Sequence, residues 1–323
     1  MELNIAFAGF RHGHIFDLWN KVERHPEIRL AGAWEEDADT RAANAAKVNF
    51  NYPAYADLLA DDKVDVVAIG DYYAKRGPLA IEALKAGKHV IADKPLCVSL
   101  AELDEIEKLS AEKKLAVHCM FSMRYGQDAA ALRDLVGSGR LGEIRNVYFG
   151  GQHPLNYGVR PMWYFEDGKH GGTINDIAIH GIDYLAYTMG LRKKRILAAR
   201  CWNAYALEKK NFKDSAQFML ELENGAGVIA DVSYAALTSQ PLPTYWMFIV
   251  WGSKGMVKFK AGDPELEVFF EGAKTPLYVH SKAPAADYFT ELEAELEGRP
   301  GLITTAEVLR STRDTLEIQA AAD

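Results

Sequence analysis

The sequence predicts an α/β protein with an N-terminal doubly wound parallel sheet and a C-terminal α+β domain that has a large, mostly antiparallel sheet. The length of 323 residues suggests about two domains. Up to about residue 120, short apolar runs alternate with helix-like stretches, whereas strand patterns dominate afterwards. We therefore expect the first domain to span residues 1–120 and the second to span residues 121–323.

The first domain shows the pattern of repeated βαβ units. Short, continuous apolar runs are typical of parallel strands that are buried on both faces. They occur at residues 3–8, 28–34, 64–69, 88–92 and 115–120. Stretches rich in Ala, Leu, Glu and Lys predict helices at residues 40–48, 78–86 and 101–113, and the last opens with the S-x-x-E capping box of Ser99 and Glu102. Strands and helices that alternate in this way predict a parallel sheet.

The second domain begins with helices predicted at residues 127–136 and 174–188. Apolar residues then alternate with polar ones from Ala216 to Leu222, and Asn224-Gly225 gives a strong hairpin signal before the next apolar run. Strands are also predicted at residues 245–251 and 256–260, around a turn that contains two glycines, and two helical stretches close the chain.

Composition limits the partners and the compartment. The chain has 37 Lys+Arg and 45 Asp+Glu, so its net charge of -8 argues against nucleic acid or an anionic membrane as a partner. The N-terminal residues lack the pattern of a signal peptide and no run of 18 uncharged apolar residues occurs, so we expect neither a signal peptide nor a membrane span. The three cysteines are too far apart for a zinc motif. We expect a cytoplasmic protein with reduced thiols and no metal site.

A candidate dinucleotide loop follows the first strand, with the sequence Gly9-Phe10-Arg11-His12-Gly13-His14. In the fingerprint G-x-G-x-x-G, glycines let the backbone approach a pyrophosphate at a helix N-terminus. Only the first glycine is in register, since Arg11 and His14 occupy the other two positions. Arg11 would either hold phosphate by its charge or block the approach, and a plain strand-to-helix turn is the alternative interpretation.

An acidic pair ends the second strand, at Glu35 and Glu36. An acid at this position accepts hydrogen bonds from the adenosine ribose and repels a 2′-phosphate, so it favours NAD over NADP. Glu35 is the better candidate and Glu36 is the fallback. A solvated acidic turn is the alternative interpretation.

Asp93-Lys94-Pro95 follows the fourth predicted strand. Because proline restricts the preceding residue to extended geometry, Lys94 should be held at the carboxyl edge of the sheet, where open α/β sheets bind ligands. A lysine there can stabilise negative charge that develops on a substrate oxygen. An exposed loop is the alternative.

Asp176 and His180 are four residues apart at the start of a predicted helix. This spacing places both side chains on one helix face, where a carboxylate can orient an imidazole and raise its basicity. His180 would then act as a general base on an alcohol. A structural Asp/His pair is the alternative, and metal ligation is disfavoured because no further ligand lies at a suitable spacing.

Taken together, these motifs resemble the glucose-fructose oxidoreductase, inositol dehydrogenase and rhizopine-catabolism (Gfo/Idh/MocA) family over nearly the whole chain. The resemblance rests on Gly9, on residues 64–69 and 80–95, on Arg124-Tyr125, on residues 139–144, on the segment from Gly171-Gly172 through Asp176 and His180 to Ile182-Asp183, and on residues 252–255.

The resemblance implies an N-terminal Rossmann domain, a C-terminal sheet domain used for oligomerisation as a homodimer or homotetramer, and hydride transfer between NAD and a secondary hydroxyl of a sugar, cyclitol or polyol. It implies that Lys94 contacts substrate and nicotinamide, that Asp176 positions substrate or relays a proton, and that His180 is the general acid/base. Tyr125 and Trp163 would line the substrate site. The implied cofactor-binding set is Gly9, Phe10, Arg11, His12, Gly13, His14, Glu35, Gly70, Asp71, Arg76, Lys94 and Pro95.

The chain departs from the family pattern around the expected cofactor. The family commonly has E-K-P where this chain has Asp93, and T-P-N-x-x-H after the third strand, where Arg76 takes the histidine position. Two alternative functions accompany the dehydrogenase, the first implied by other members of the family and the second by the altered glycine loop. One is a glycoside hydrolase or lyase that recycles a tightly held NAD, and the other is a sugar- or dinucleotide-sensing protein without turnover.

Overall fold

Two sheets organise the chain. The computed structural model describes residues 2–240 and 245–322. Contacts divide the chain into unit 1, which comprises the residues up to Met120 together with Gly168–Gly171 and Asp287–Arg313, and unit 2, which comprises Phe121–Asp167, Gly172–Ala286 and the residues from Asp314. Unit 1 thus includes two segments that lie beyond the sequence-based division at residue 120, because compactness depends on contacts rather than on chain order.

Unit 1 contains a five-stranded parallel sheet in the order β2-β1-β3-β4-β5. Its strands are β1 (Leu3–Ala8), β2 (Ile28–Trp34), β3 (Val66–Ile69), β4 (His89–Ala92) and β5 (Val117–Cys119). All four residues of β3 are buried, as expected for a strand that is covered on both faces. The Rossmann-type parallel sheet that the sequence predicts is therefore confirmed.

The helices of unit 1 are α1 (Ile15–Val22), α2 (Ala38–Asn44), α3 (Tyr55–Ala60), α4 (Tyr73–Lys85), α5 (Leu100–Lys113) and α8 (Tyr288–Leu296). The predicted cap is confirmed, since Ser99 Oγ accepts the Glu102 N–H at 3.2 Å. The helix predicted to begin at Pro78 instead begins five residues earlier, with the proline inside it. Residues 73–77 therefore form the first turn of α4, which matters for the candidate site.

Unit 2 contains an eight-stranded sheet in the order β13-β12-β11-β10-β6-β9-β8-β7. Only the β6–β9 pair among these is parallel, so the predicted mostly antiparallel sheet is confirmed. Its strands are β6 (Ile144–Gln152), β7 (Lys193–Trp202), β8 (Ser215–Leu222), β9 (Gly227–Ser233), β10 (Trp246–Gly252), β11 (Gly255–Lys260), β12 (Leu266–Phe270) and β13 (Leu277–Val279). The hairpin at Asn224-Gly225 is also confirmed, with Gly225 at φ +85°.

Helices in this half of the chain are α6 (Gln127–Gly137), α7 (Ile179–Met189) and α9 (Thr305–Ala322), which begins in unit 1. The α-helix predicted from residue 174 begins only at Ile179, because Ile174–Ala178 is a π-helical turn. A π-helical turn bonds i to i+5, and such turns are frequent at functional sites. Among the described residues, no helix has the length and apolar character needed to cross a membrane.

Candidate functional site

The loops that follow β1, β2 and β3 are hydrogen-bonded to one another at the carboxyl edge of the parallel sheet in unit 1. The Gly9 N–H donates to the Trp34 carbonyl at 3.0 Å, and the His12 N–H donates to the Gly70 carbonyl at 3.1 Å. The strand order reverses at β1, and open α/β sheets bind ligands at such a switch point. The structure therefore brings the glycine loop and the loop after β3 together at the expected edge.

Two glycines give the loop after β1 its shape. Gly9 has φ +81°, and a Cβ at this position would lie 2.6 Å from the Cβ of Asp71. Gly13, two residues before α1, faces open space, since a Cβ there would meet no atom within 4 Å. A helix N-terminus next to open space suits an anionic group such as a pyrophosphate, so this part of the loop fits a dinucleotide.

The two acids after β2 have different environments. The side chain of Glu35 is buried, and its carboxylate accepts the N–H of Phe10 at 2.6 Å and the N–H of Asp37 at 2.8 Å. Burial raises the pKa of Glu35. The side chain of Glu36 is 42 % exposed and pairs with Arg11 and Lys75. Burial alone would raise the pKa of Glu36, but the hydrogen bonds from Lys75 and Arg11 outweigh it and lower that pKa. Glu35 thus shapes the loop, and Glu36 is the more accessible acid.

Arg11, which stands where the fingerprint has its second glycine, is held by carboxylates. Its Nε and Nη2 donate to the two oxygens of Asp71 at 2.6 and 2.9 Å, and its guanidinium lies 4.5 Å from the centre of the Tyr72 ring. Burial alone would lower the pKa of Arg11, but the hydrogen bond and charge of Asp71, together with Glu36 and Glu35, outweigh it and raise that pKa, so the group stays protonated. Asp71 and Glu36 already balance this charge.

The residues around Lys94 form a buried polar cluster. Lys94 lies two residues after β4, is 3 % exposed, and is joined to Pro95 by a cis peptide bond. Asp93 accepts hydrogen bonds from His12 Nδ1 and, at 2.7 Å, from Arg76 Nη2. Burial would raise the pKa of Asp93, but the charges of Arg76 and His12 outweigh it and hold the pKa well below its usual range. The predicted positions Arg76 and Lys94 are therefore close together.

His12, His14 and Asp93 also offer three metal-ligating atoms within 4.8 Å of one another. No sequence motif indicates this set, because Asp93 is far from the histidines along the chain. However, the guanidinium of Arg76 already lies on the Asp93 carboxylate, and its positive charge opposes a second cation there. We therefore interpret the cluster as an ion-pair network rather than a metal centre.

In unit 2, Asp176 and His180 are both buried, and each contacts an aromatic residue. Asp176 lies in the π-helical turn and accepts a hydrogen bond from the Tyr234 hydroxyl. Burial, together with the charge of Asp176, raises the pKa of Tyr234 well above its usual range, so Tyr234 is a neutral donor. His180 lies in the first turn of α7, edge-on to Trp246 with 5.8 Å between ring centroids.

The predicted aromatic residues also lie in unit 2. Trp163 is buried and stacks on Tyr164 with 4.0 Å between ring centroids, while Tyr125 ends a short 3-10 turn. The neighbour of Tyr125, Arg124, is fully buried and donates two hydrogen bonds to Asp183. This ion pair anchors the turn to α7.

Sequence reasoning missed two residues near Asp176. Tyr234 binds the carboxylate of Asp176, and the guanidinium of Arg160 lies 5.1 Å from the centre of the Tyr234 ring. Tyr234 comes directly after β9, and Arg160 lies in an irregular loop, so neither is part of a motif. Only the folded chain brings them to Asp176.

Comparison with known proteins gives one family. Residues 3–121 match the model of an oxidoreductase family with an NAD-binding Rossmann fold, and residues 129–258 match the model of the GFO/IDH/MocA C-terminal domain. Myo-inositol 2-dehydrogenase of Thermotoga maritima is 26% identical over 63% of this chain and 60% of its own length. An uncharacterised oxidoreductase of Synechocystis is 26% identical over 58% of this chain and 52% of its own length. The matches thus span about half to three fifths of these relatives.

The fold is similar to that of solved structures over the full length. The crystal structure of a putative oxidoreductase from Erwinia carotovora atroseptica superposes with a TM-score of 0.88 at 23% identity, and the match covers 100% of this chain and 99% of the other.

Proposed function

Because the chain belongs to the Gfo/Idh/MocA oxidoreductase family, with an NAD-binding Rossmann domain and the family's C-terminal domain, we propose that it transfers a hydride between NAD and a secondary hydroxyl of a sugar, cyclitol or sugar-derived polyol. The observation that carries this proposal is the gathering of the glycine loop, the loop after β3 and the Lys94 segment at one edge of the parallel sheet. The similarity to a myo-inositol 2-dehydrogenase supports the substrate class.

The chain's own residues would bind the cofactor and move the proton. The loop from Gly9 to His14 would receive the pyrophosphate, and NAD, when bound, accepts or supplies the hydride. Lys94 would donate a hydrogen bond to the reacting oxygen, and His180 would take the hydroxyl proton during oxidation. Asp176, whose carboxylate is oriented by Tyr234, would position the substrate or relay the proton.

The cofactor preference that we propose is NAD over NADP. The carboxylate of Glu36 is solvent-accessible and pairs with Arg11 and Lys75, and together with Asp71 it balances the two cations that would otherwise attract a 2′-phosphate. The buried carboxylate of Glu35, 4.0 Å from Arg11 Nε, adds a second acid at this loop. A comparison of NAD and NADP as cosubstrates in one assay tests this preference, and equal kcat/KM values would contradict it.

Replacement of His180 tests the proposed catalytic role. We expect His180→Ala to lower kcat by about 10²- to 10⁴-fold, the usual effect of losing a general acid/base. NADH formation at 340 nm with a panel of cyclitols and sugars is the measurement. His280→Ala, which alters an exposed histidine in the same unit, is the matched control. Turnover by His180→Ala equal to that of the control would rule out the general-base role.

The same assay separates the two alternative functions. A glycoside hydrolase or lyase that recycles its NAD would consume a glycoside without releasing free NADH, whereas a dehydrogenase releases one NADH per turnover. A sensing protein would bind ligand, measurable by calorimetry, without turnover of any polyol.

We also propose that the chain forms a homodimer or homotetramer through the outer face of the eight-stranded sheet. Met219, Ile229, Tyr148 and Ile249 form one cross-strand row over β8, β9, β6 and β10. The side chain of Ile229 in this row is 54 % exposed, and contiguous exposed apolar surface marks an interaction site. Light scattering of the purified chain measures the assembly.

We also propose a cytoplasmic location, which the burial of two cysteine thiols supports. Cys97 and Cys119 are buried, and burial raises the pKa of the Cys97 thiol, so it stays protonated. Buried, protonated thiols suit a reducing compartment. Fractionation of the source cells tests this location.

A further inference from the structure

Arg76 has an environment that its position in the sequence does not explain. It lies in the first turn of α4, and its side chain is fully buried. Its Nε donates to the Asp71 carbonyl at 2.7 Å, and its Nη2 donates to the Asp93 carboxylate at 2.7 Å. Its Nη1 donates to the carbonyls of Lys94 and Pro95, the latter at 3.3 Å. One guanidinium therefore spans the loop after β3 and the segment after β4.

These contacts suit an arginine and no other side chain. A buried guanidinium is tolerated only when a carboxylate balances its charge and acceptors satisfy its N–H groups, and here Asp93 and three carbonyls do so. The planar fork of the guanidinium fixes the directions of its donors, whereas a lysine ammonium offers a compact charge with rotatable donors. A lysine would keep the pair with Asp93 but could not bind all three carbonyls at once.

The three carbonyls bound by Arg76 belong to the backbone at Lys94 and to the loop after β3. Two of them are the carbonyls of Lys94 and Pro95, and the third is the carbonyl of Asp71. The side chain of Asp71 also lies next to Gly9 and accepts a hydrogen bond from Arg11. The cluster also reaches the glycine loop, because Asp93 accepts a hydrogen bond from His12. Arg76 thus connects the Lys94 backbone to the loops proposed to hold the cofactor.

We propose that Arg76 is a positioning residue for Lys94: its guanidinium fixes the backbone of residues 93–95 against the loop after β3, so that the Lys94 amine is held in its working position. The inference rests on the proposed function only in the role given to Lys94. The order that Arg76 gives to the backbone of residues 93–95 can be measured without turnover.

The test uses Arg76→Lys in the full chain, which retains the charge beside Asp93 but loses the fork. Tyr55→Phe is the matched control. It removes the buried hydrogen bond that Tyr55 Oη donates to the Leu79 carbonyl at 2.8 Å, which also lies in α4 but away from Lys94. Hydrogen exchange followed by mass spectrometry measures the order of residues 90–98, with residues 215–233 as an internal reference. Steady-state kinetics and NADH titration measure kcat and cofactor affinity.

We expect faster exchange confined to residues 90–98 in Arg76→Lys and none in Tyr55→Phe. Misplacement of a catalytic group by about 1 Å lowers the reaction rate about 10²-fold. We therefore expect kcat to fall by about that factor, while the Kd for NADH changes by less than about threefold. Unchanged exchange at residues 90–98, or kcat within about twofold of the wild type, would overturn the proposal. Faster exchange throughout unit 1 with loss of NADH binding would also overturn it, since the residue would then be merely structural.

A second variant and the activity of the wild type cover two other results. If Arg76→Lys does not fold, the double variant Arg76→Met/Asp93→Asn removes both buried charges together, which avoids an unpaired charge, and the same local exchange is expected. If the wild-type chain oxidises no polyol, the proposed function fails, while the exchange of residues 90–98 still decides whether Arg76 fixes that segment.

Discussion

His12 should make the stability of the folded chain depend on pH in a defined window. Its side chain is buried, and burial lowers its pKa from the ordinary 6.5 to about 4, even though Asp93 attracts the protonated form. The folded state therefore keeps His12 neutral at pH values where the unfolded chain binds a proton. Stability linked to His12 is complete above about pH 6.5 and is lost as the pH falls toward about 4.

The size of the effect follows from the two pKa values. Each pKa unit corresponds to about 1.4 kcal/mol, so a change from 6.5 to about 4 is worth about 3 kcal/mol in total. At about pH 5 most protonation of the unfolded chain is complete, and the expected loss is about 2 kcal/mol. His12→Gln removes the titrating ring and keeps a neutral side chain that can still donate to Asp93.

Urea unfolding followed by circular dichroism at about pH 7.5, 6 and 5 measures the difference in unfolding free energy between the wild type and His12→Gln. We expect the wild type to lose about 2 kcal/mol relative to this variant between pH 7.5 and 5. His280→Gln, at an exposed position, controls for the loss of a histidine. A difference that stays constant over this range would refute the reasoning, because His12 would then titrate alike in both states.

Two other substitutions test unit 2. Tyr234→Phe removes the donor to the buried Asp176, so it should cost about 1–3 kcal/mol of unfolding free energy in urea and reduce kcat, whereas Tyr205→Phe at an exposed site should change neither. Ile229→Lys places a charge in the exposed apolar row of the sheet, so light scattering should show a smaller assembly. Leu207→Lys, at an exposed position in a loop, is the control. Equal masses for the two variants would contradict an interface at this row.

Local sequence patterns determine much of the fold. Short apolar runs, the Ser99 cap and Asn224-Gly225 depend on neighbours along the chain, and the structure has the corresponding strands, helix start and hairpin. The helix predicted from residue 174 is partly wrong, because apolar spacing over a single turn does not distinguish the i to i+5 bonding of a π-helical turn from the i to i+4 bonding of an α-helix. The motif positions Gly9 and Lys94 could likewise be found from the sequence alone.

Only the tertiary structure determined what surrounds those positions. Arg76 looked like a replaced family histidine, yet its four partners come from the segments after β3 and β4, and one of them, Asp93, also binds the loop after β1. Tyr234 reaches Asp176 from the end of a distant strand. The sequence by itself determined the two kinds of sheet, the family and the motif residues, because these depend on local spacing. Burial, ion pairing and the pKa of His12 depend on residues far apart in the chain, so only the folded protein could determine them.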